Sequence, residues 1–194
     1  MPKSDLLEKQ ASLQAQAAEV LKRLDLLKLI SRYGRATVVG SVALVLMTWP
    51  DIDIDLKSKA GINNHDYFEI IKKIFAQKDV RKLTLIDNRA SLEKNRPPSF
   101  YIGLVYDLDG VSWKIDIRYM NSADDWAEQY IDKIKSRLTA AKIASILEIK
   151  TAFHSHPLYG REIHGHMIYE AVLDQGISTL KEFKKYLGSI GIKF

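Results

Sequence analysis

The feature that most constrains the fold is a run of alternating carboxylates and aliphatic residues, Asp51-Ile52-Asp53-Ile54-Asp55-Leu56. Residues two apart in a strand share a face, so a strand here places the aspartates on one face and the aliphatic side chains on the other. The aliphatic face must be buried. The other face gathers three like charges, which repel one another and require a compensating cation.

A turn of small residues, Gly40-Ser41, precedes this run. It follows a short β-branched stretch at residues 36–39, which predicts a buried strand, and eleven mostly apolar residues separate it from Asp53. Backbone N–H groups of such a turn can bind phosphate oxygens, and carboxylates bind divalent cations. The combination indicates a site for a nucleoside triphosphate and its metal ions.

A second predicted strand, at about 111–119, supplies a further carboxylate. Asp116 lies between two isoleucines that must be buried, which places it within the strand. If the two strands are neighbours, Asp53, Asp55 and Asp116 converge on a cluster able to hold two Mg²⁺ ions. Two such ions suit phosphoryl or nucleotidyl transfer, because one activates the attacking oxygen and the other stabilises the leaving pyrophosphate.

The spacing of apolar residues elsewhere in the chain predicts a mixed α/β N-terminal part and a helical C-terminal third. Expected helices lie at about 5–33, 42–48, 64–77, 123–136, 139–153, 162–174 and 179–188, and the other strands at 79–86 and 100–107. Asp109-Gly110 predicts a hairpin turn, and Thr179 with Glu182 fits a capping box.

Two further expectations concern packing. In the helix at 64–77, Phe68, Ile71, Ile74 and Phe75 are expected to share one face. The chain is expected to divide into an α/β domain with its N-terminal helix, residues 1–122, and a helical part, residues 123–194, which packs against it because no flexible spacer separates the two.

The pattern Val39-Gly40-Ser41, a spacer of eleven, then Asp53-Ile54-Asp55-Leu56 resembles the signature of the nucleotidyltransferase superfamily, the group similar to DNA polymerase beta. The resemblance covers about residues 36–119. It implies an α/β (α+β) fold with a nucleotidyltransferase-like mixed sheet and flanking helices. It also implies Mg²⁺ as the cofactor, with two ions bound, and an NTP as substrate.

The resemblance assigns roles residue by residue. Asp53 and Asp55 would be catalytic metal ligands, and Asp116 a third ligand that can also act as general base. Gly40 and Ser41 would cradle the triphosphate. Asp51 and Asp53 also satisfy the spacing, with nine residues after Ser41. We favour Asp53 and Asp55, because residues 50–56 resemble the family run Pro-Asp-Ser-Asp-Ile-Asp-Leu in register.

The spacer departs from the family pattern. Many members place an arginine or another polar residue just after Gly-Ser, whereas residues 42–47 of this chain are apolar. Triphosphate contacts would then come from backbone amides and from a cation elsewhere, with Lys57 and Arg118 as the nearest candidates. Arg118 is also expected on the strand face of Asp116, where it could simply neutralise that carboxylate.

Composition narrows the function classes. The chain has no cysteines, which excludes disulfides, thiolate catalysis and thiolate zinc sites. Its net charge of +5 would help attract an anionic partner, but the lysines and arginines are dispersed along the chain, so a nucleic-acid partner is possible but not favoured. No apolar run approaches the about 20 residues that span a bilayer, and the first residues lack a signal-peptide core. We therefore expect no membrane partner and a cytoplasmic location.

Four histidines form two closely spaced pairs, His154 with His156 and His164 with His166. Residues two apart on a helix point in nearly opposite directions, so neither pair is a natural metal chelate. The same segment, with Tyr159, Arg161 and Tyr169, is a candidate lining for an acceptor pocket.

The leading hypothesis is an Mg²⁺-dependent nucleotidyltransferase that transfers a nucleoside monophosphate from an NTP to a hydroxyl of a small molecule, a protein or an RNA. The alternative is a catalytically inactive nucleotide-binding or protein-interaction module of the same fold, which the apolar spacer keeps open. A small RNA-binding protein ranks last, because no basic strand carries clustered aromatic residues for base stacking.

Overall fold

The predicted strands pair into one mixed sheet in the computed structural model, which describes residues 2–58, 60–90, 98–121 and 126–193. Within these ranges the strands are β1 (Arg35–Val39), β2 (Asp51–Ser58), β3 (Val80–Asp87), β4 (Ser99–Leu108) and β5 (Val111–Asn121). The helices are α1 (Lys3–Arg23), α2 (Leu26–Ser31), α3 (Gly40–Leu44), α4 (Asn64–Phe75), α5 (Trp126–Lys135), α6 (Ala140–Phe153), α7 (Gly165–Asp174) and α8 (Leu180–Ser189). The predicted fold class is confirmed.

The sheet order is β1-β2-β5-β4-β3. β2 pairs antiparallel with β1 and parallel with β5, while β4 pairs antiparallel with both β5 and β3. The β4–β5 hairpin turns at Asp109 and Gly110, whose φ angles of 52° and 87° suit a tight two-residue turn. The parallel β2–β5 pair, at the centre, is what brings distant parts of the sequence together.

One face of the sheet is apolar and carries the larger core. Ile52, Ile54 and Leu56 of β2 pack there beside Ile115 and Ile117 of β5, all fully buried. Helices α1, α2 and α4 cover this face. Burial of each such side chain contributes about 1.5–3 kcal/mol. The period of two that buries the aliphatic residues turns the β2 carboxylates toward the opposite face.

A second core joins the C-terminal helices to the end of β1. Val39, Leu44 and Leu46 pack with residues of α5, α6, α7 and α8. Helix α1 also contacts α6. The predicted boundary after residue 122 falls on residues outside the described ranges, so the division at 1–122 and 123–194 stays a prediction. No helix in the described ranges is long and apolar enough to cross a membrane.

Two helix predictions are wrong in extent. The single helix expected over 5–33 is divided by Asp25, whose φ of 44° interrupts the helical path between α1 and α2. Leu24 and Leu26, on either side of this break, are both buried. The helix expected over 42–48 is instead α3, which begins at Gly40 and ends where Val45 adopts a φ of 59°.

The inward face of α4 also differs from the expected one. Phe68 and Phe75 are 60% and 66% exposed, so they do not face the core. The helix is turned by less than the about 100° that separates successive residues, because Ile74 belongs to both the expected and the observed face. This rotation lets Tyr67 stack on Phe100, with 4.0 Å between the ring centroids. The buried residues of the helix are Tyr67, Ile70 and Ile74.

Candidate active site

A cavity of about 290 Å³ opens on the charged face of β2. It is lined by residues from the β1–α3 turn, β2, β5, α5, α6 and α7, and its apolar wall comes from the second core. Its lining includes Gly40, Ser41, Trp49, Asp51, Asp53, Arg118, Trp126, Tyr130, Lys150, Tyr159, His166 and Tyr169.

The parallel register of β2 and β5 aligns the charged side chains in pairs. Asp53 lies directly opposite Asp116, and Asp51 lies opposite Lys114. Residues opposite each other in neighbouring strands share a face of the sheet. The fold therefore brings Asp51, Asp53 and Asp116 side by side, although more than sixty residues separate Asp53 from Asp116.

Asp55 has a different environment. It lies opposite Arg118, whose Nη2 and Nε donate hydrogen bonds of 3.0 and 3.2 Å to its carboxylate. The residue is only 3% exposed, and unlike Asp51 and Asp53 it does not line the cavity. Its negative charge is already balanced by the guanidinium.

Both carboxylate oxygens of Asp116 accept hydrogen bonds. Tyr101 Oη donates to Oδ1 over 2.8 Å, and Lys114 Nζ donates to Oδ2 over 2.5 Å. Tyr101 reaches Asp116 from β4 by passing over Gly103, which pairs with Asp116 in the sheet. A Cβ on Gly103 would overlap the Tyr101 hydroxyl. Glycine is therefore the residue that permits this hydrogen bond.

The substitution Gly103→Ala is expected to push the Tyr101 hydroxyl away from Asp116. Because the hydroxyl is the far end of a rotatable side chain, the cost should be that of the lost hydrogen bond, about 1 kcal/mol of unfolding free energy. Tyr101→Phe removes the same hydrogen bond without any clash and serves as the matched control. Urea unfolding should give similar losses for both variants; a Gly103→Ala protein as stable as wild type would contradict the assignment.

Burial raises the pKa values of Asp51 and Asp53 above the usual range. Burial, followed by the charges of Asp51 and Asp116, raises the pKa of Asp53 to about 7. Burial also raises the pKa of Asp51. Among the described residues, Asp51 Oδ1 is buried without a hydrogen bond; Lys114 Nζ lies 3.5 Å away. The site therefore favours the binding of a proton or a cation.

This pKa predicts how stability depends on pH in EDTA. Folded Asp53 titrates near pH 7 instead of the usual 3.8, so the folded state retains a proton that the unfolded state has lost. The stabilisation of the folded state that comes from this raised pKa is fully present below pH 3.8 and is lost as the pH rises through about 7. The free energy of unfolding decreases by up to about 4 kcal/mol over this range. Thermal midpoints at pH 5 and pH 8.5 should show a smaller decrease for Asp53→Asn than for wild type. Equal decreases would contradict this interpretation.

Lys150 is a buried cation of the site that the sequence interpretation missed. Its Nζ donates hydrogen bonds to the Leu46 carbonyl oxygen over 2.7 Å and to Tyr169 Oη over 3.2 Å. Burial lowers the pKa of Lys150 to about 8, although the charges of Asp51 and Asp53 oppose this shift. A lysine on the otherwise apolar inner face of α6 was the signal that could have identified it.

The two cations expected from the sequence to contact phosphate are both ion-paired. Lys57 is 2% exposed, and its Nζ lies 2.6 Å from Glu128 Oε2 on α5. Arg118 lines the cavity but holds Asp55, not Asp116.

Gly40 is tightly constrained by the site itself. Its φ of 62° lies in the left-handed region that favours glycine, and a Cβ there would overlap the Asp53 carboxylate. Gly40 and Ser41 both line the cavity. The turn is therefore in direct contact with Asp53.

The histidine segment forms an aromatic wall. His154 stacks on Trp49 with 4.3 Å between ring centroids, and Tyr159 meets Trp49 edge-on at 5.2 Å. Of the four histidines in the two pairs, His166 lines the cavity. Across the described residues, no three histidine or acidic side chains form a ready-made metal-binding cluster.

The donor set of the carboxylate face nevertheless fits a hard divalent cation. Asp51, Asp53 and Asp116 offer carboxylate oxygens and no nitrogen or sulfur ligands, which is the set that Mg²⁺ prefers. The raised pKa of Asp53 indicates that a further positive charge would be stabilising here, and Asp51 Oδ1 accepts no hydrogen bond from the described residues although Lys114 Nζ lies 3.5 Å away.

The sequence matches no protein-family model and no curated protein sequence. Its structure is similar to that of a cytoplasmic RNA terminal U-transferase, with 13% identity, a TM-score of 0.59, and coverage of 90% of this chain and 55% of that chain. It is also similar to the polymerase core of TRAMP, an RNA surveillance complex, with 16% identity, a TM-score of 0.58, and coverage of 84% and 48%.

A third solved structure, the GLD-2/RNP-8 complex, matches with 12% identity and a TM-score of 0.60, over 99% of this chain and 73% of that chain. At these identities the similarity establishes the fold alone, and it confirms the predicted nucleotidyltransferase-like fold. The chain spans about half the length of the first two of these neighbours.

Proposed function

We propose that this chain, which has the nucleotidyltransferase fold, transfers a nucleoside monophosphate from an NTP to a hydroxyl group and releases pyrophosphate. The observation that carries the proposal is the placement of Asp53 directly opposite Asp116, with Asp51 beside them, in contact with the Gly40 turn. Carboxylates on two adjacent strands next to a small-residue turn suit this reaction, because they bind metal where phosphate oxygens approach.

We further propose that the metal ligands are Asp51, Asp53 and Asp116. This assignment uses the alternative spacing, in which nine residues separate Ser41 from the first aspartate, so that Asp51 replaces Asp55 as a ligand. It is supported by the ion pair between Asp55 and Arg118, which leaves Asp55 buried and away from the cavity. A carboxylate neutralised by a guanidinium is a poor ligand, because the metal would have to compete with a bidentate hydrogen bond.

The proposed metal is Mg²⁺, which when bound would stabilise negative charge on the phosphates and make the acceptor hydroxyl more acidic. Asp116 is suited to take the proton of that hydroxyl, because its carboxylate lies opposite Asp53. Tyr101 keeps Asp116 oriented through Oδ1.

Gly40, Ser41 and Lys150 are proposed to bind the triphosphate. The turn offers backbone N–H groups at the cavity wall, and Lys150 offers a buried positive charge near Asp51 and Asp53. Lys150 is proposed as the phosphate-binding cation instead of Lys57 and Arg118. Those two side chains are ion-paired with Glu128 and Asp55, respectively.

The proposed acceptor is the terminal hydroxyl of an RNA. Two proteins similar in fold are an RNA terminal U-transferase and the polymerase core of an RNA surveillance complex, which supports this choice. The net charge of +5 is compatible with a polyanionic acceptor. This reverses our preference against nucleic acid, for which the comparisons offer no support. The cytoplasmic location stays a prediction.

The inactive nucleotide-binding module remains the second candidate, because both oxygens of Asp116 are already engaged. The two candidates differ in whether the NTP is consumed. The test is to incubate the chain with each α-labelled NTP, Mg²⁺ and a 5′-labelled RNA oligonucleotide, and to follow extension of the RNA and pyrophosphate release. Extension supports the enzyme. Tight NTP binding without extension or pyrophosphate supports the module.

A further inference from the structure

The Lys114 ammonium lies between two of the proposed metal ligands. Its Nζ is 2.5 Å from Asp116 Oδ2 and 3.5 Å from Asp51 Oδ1. It reaches both because the strand register places Lys114 opposite Asp51 and two residues before Asp116 on the same face. One side chain therefore bridges carboxylates of β2 and β5.

This bridge offsets part of the negative charge on the carboxylate face of the sheet. On this face, three carboxylates (Asp51, Asp53 and Asp116) face the ammonium groups of Lys114 and Lys150. Lys150 directs its hydrogen bonds to a backbone carbonyl oxygen and to a tyrosine hydroxyl, not to a carboxylate. Within the described residues, direct contact between a cation and this carboxylate group is made by Lys114.

A divalent ion needs the same oxygens that Lys114 contacts. Tyr101 holds Oδ1 of Asp116, and Lys114 holds Oδ2. An ammonium and a metal ion a few ångströms apart would repel each other strongly. Occupation of these oxygens by Lys114 and by a divalent ion should therefore be mutually exclusive.

We propose that Lys114 is a built-in counter-ion of the carboxylate site, which must leave Asp51 and Asp116 before a divalent metal ion can bind them. In the metal-free protein Lys114 relieves the repulsion between the two strands. It also weakens the affinity of the site for free metal ions, so the site loads its metal together with the nucleotide, whose phosphates add oxygen ligands. The inference rests on the proposed function for the identity of the ligands.

The fold permits this exchange. The Lys114 side chain is 57% exposed, so its flexible stem can turn into solvent without opening the core. Asp116 would keep its orientation during the exchange, because the Tyr101 hydroxyl remains on Oδ1.

The test is a titration with Mn²⁺ alone, followed by electron paramagnetic resonance, on wild type and on Lys114→Met. Loss of the competing cation should tighten Mn²⁺ binding by about tenfold or more. Lys114→Arg, which keeps the charge, should bind like wild type. Lys82→Met, which removes one charge from an exposed position on β3, controls for net charge and should also bind like wild type.

A second measurement guards against misfolding of Lys114→Met. Its thermal midpoint in EDTA should be lower than that of wild type, and Mn²⁺ should raise it by more than it raises the wild-type midpoint. The proposal is overturned if Lys114→Met binds Mn²⁺ no tighter than wild type does, or does not bind it measurably. It is also overturned if Lys82→Met binds Mn²⁺ as tightly as Lys114→Met does.

These outcomes are separate from those of the proposed function. Tighter Mn²⁺ binding by Lys114→Met, with no transfer by wild type to any acceptor, supports the counter-ion and overturns the enzymatic proposal. Transfer by wild type, with unchanged Mn²⁺ affinity in Lys114→Met, supports the enzyme and overturns the counter-ion.

Discussion

Asp53→Asn is expected to lower nucleotidyl transfer by about a thousandfold or more while leaving the chain folded. The carboxylate lies opposite Asp116 and against Gly40, so it is central to the proposed metal site. Loss of one ligand removes several kcal/mol of charge stabilisation, and each 1.36 kcal/mol corresponds to about a tenfold change in rate. The measurement is RNA extension with labelled NTP at pH 8 in saturating Mg²⁺.

The same variant should not lose stability in EDTA at that pH. The ionised Asp53 is buried near other carboxylates, which is why its pKa is raised to about 7, and asparagine removes this charge. The exposed Asp132 on α5 provides a matched control, since Asp132→Asn changes the same functional group at the surface. Activity of Asp53→Asn within tenfold of that of Asp132→Asn would contradict a catalytic role.

Glu128→Ala is expected to lower the unfolding free energy by about 3 kcal/mol. Lys57 is nearly inaccessible, at 2% exposure, and its ammonium lies 2.6 Å from Glu128. Removing the carboxylate leaves a buried charge without this ion pair. Because Glu128 anchors α5 to β2, and Trp126 and Tyr130 of α5 line the cavity, nucleotide affinity should fall as well.

Urea unfolding of three proteins checks this prediction. Glu128→Ala should be the least stable, whereas the double variant Lys57→Met/Glu128→Met should recover most of the loss, because apolar side chains replace the buried ion pair. A loss below about 1 kcal/mol in Glu128→Ala, as for an exposed pair, would show that the contact contributes little.

Local patterns in the sequence predicted most elements of the fold, and two of the three carboxylates proposed as metal ligands were singled out from the sequence. The alternation in residues 51–56 gave the correct strand and its two faces, and the Asp109-Gly110 turn and the Thr179 capping box are confirmed. Asp53 and Asp116 could be proposed to share one face of the sheet because each lies in a strand whose buried face is unambiguous. These features depend on neighbours within a few residues.

Features that depend on register between distant elements could not be predicted in this way. The sequence interpretation favoured Asp55 over Asp51 as a ligand, and only the parallel pairing of β2 with β5 places Arg118 opposite Asp55. The bridge made by Lys114 has the same origin. The orientation of α4 was predicted wrongly because Phe68 and Phe75 are as apolar as the residues that face inward.

The proposed site makes unequal predictions for the two aspartates that flank Asp53. Asp51 lines the cavity beside Lys114, whereas Asp55 is held by Arg118. Asp51→Asn should therefore lose transfer activity by about a hundredfold or more. Asp55→Asn should keep activity and instead lower the unfolding free energy by about 1–3 kcal/mol, because Arg118 loses a charged hydrogen-bond partner.

The most direct test of the central claim is to compare pyrophosphate release by Asp51→Asn and Asp55→Asn. Both variants are assayed side by side with labelled NTP, Mg²⁺ and RNA, at a temperature where both are folded. We predict near-complete loss for Asp51→Asn and retained activity for Asp55→Asn. Retained activity in Asp51→Asn together with loss in a folded Asp55→Asn would contradict the proposed site.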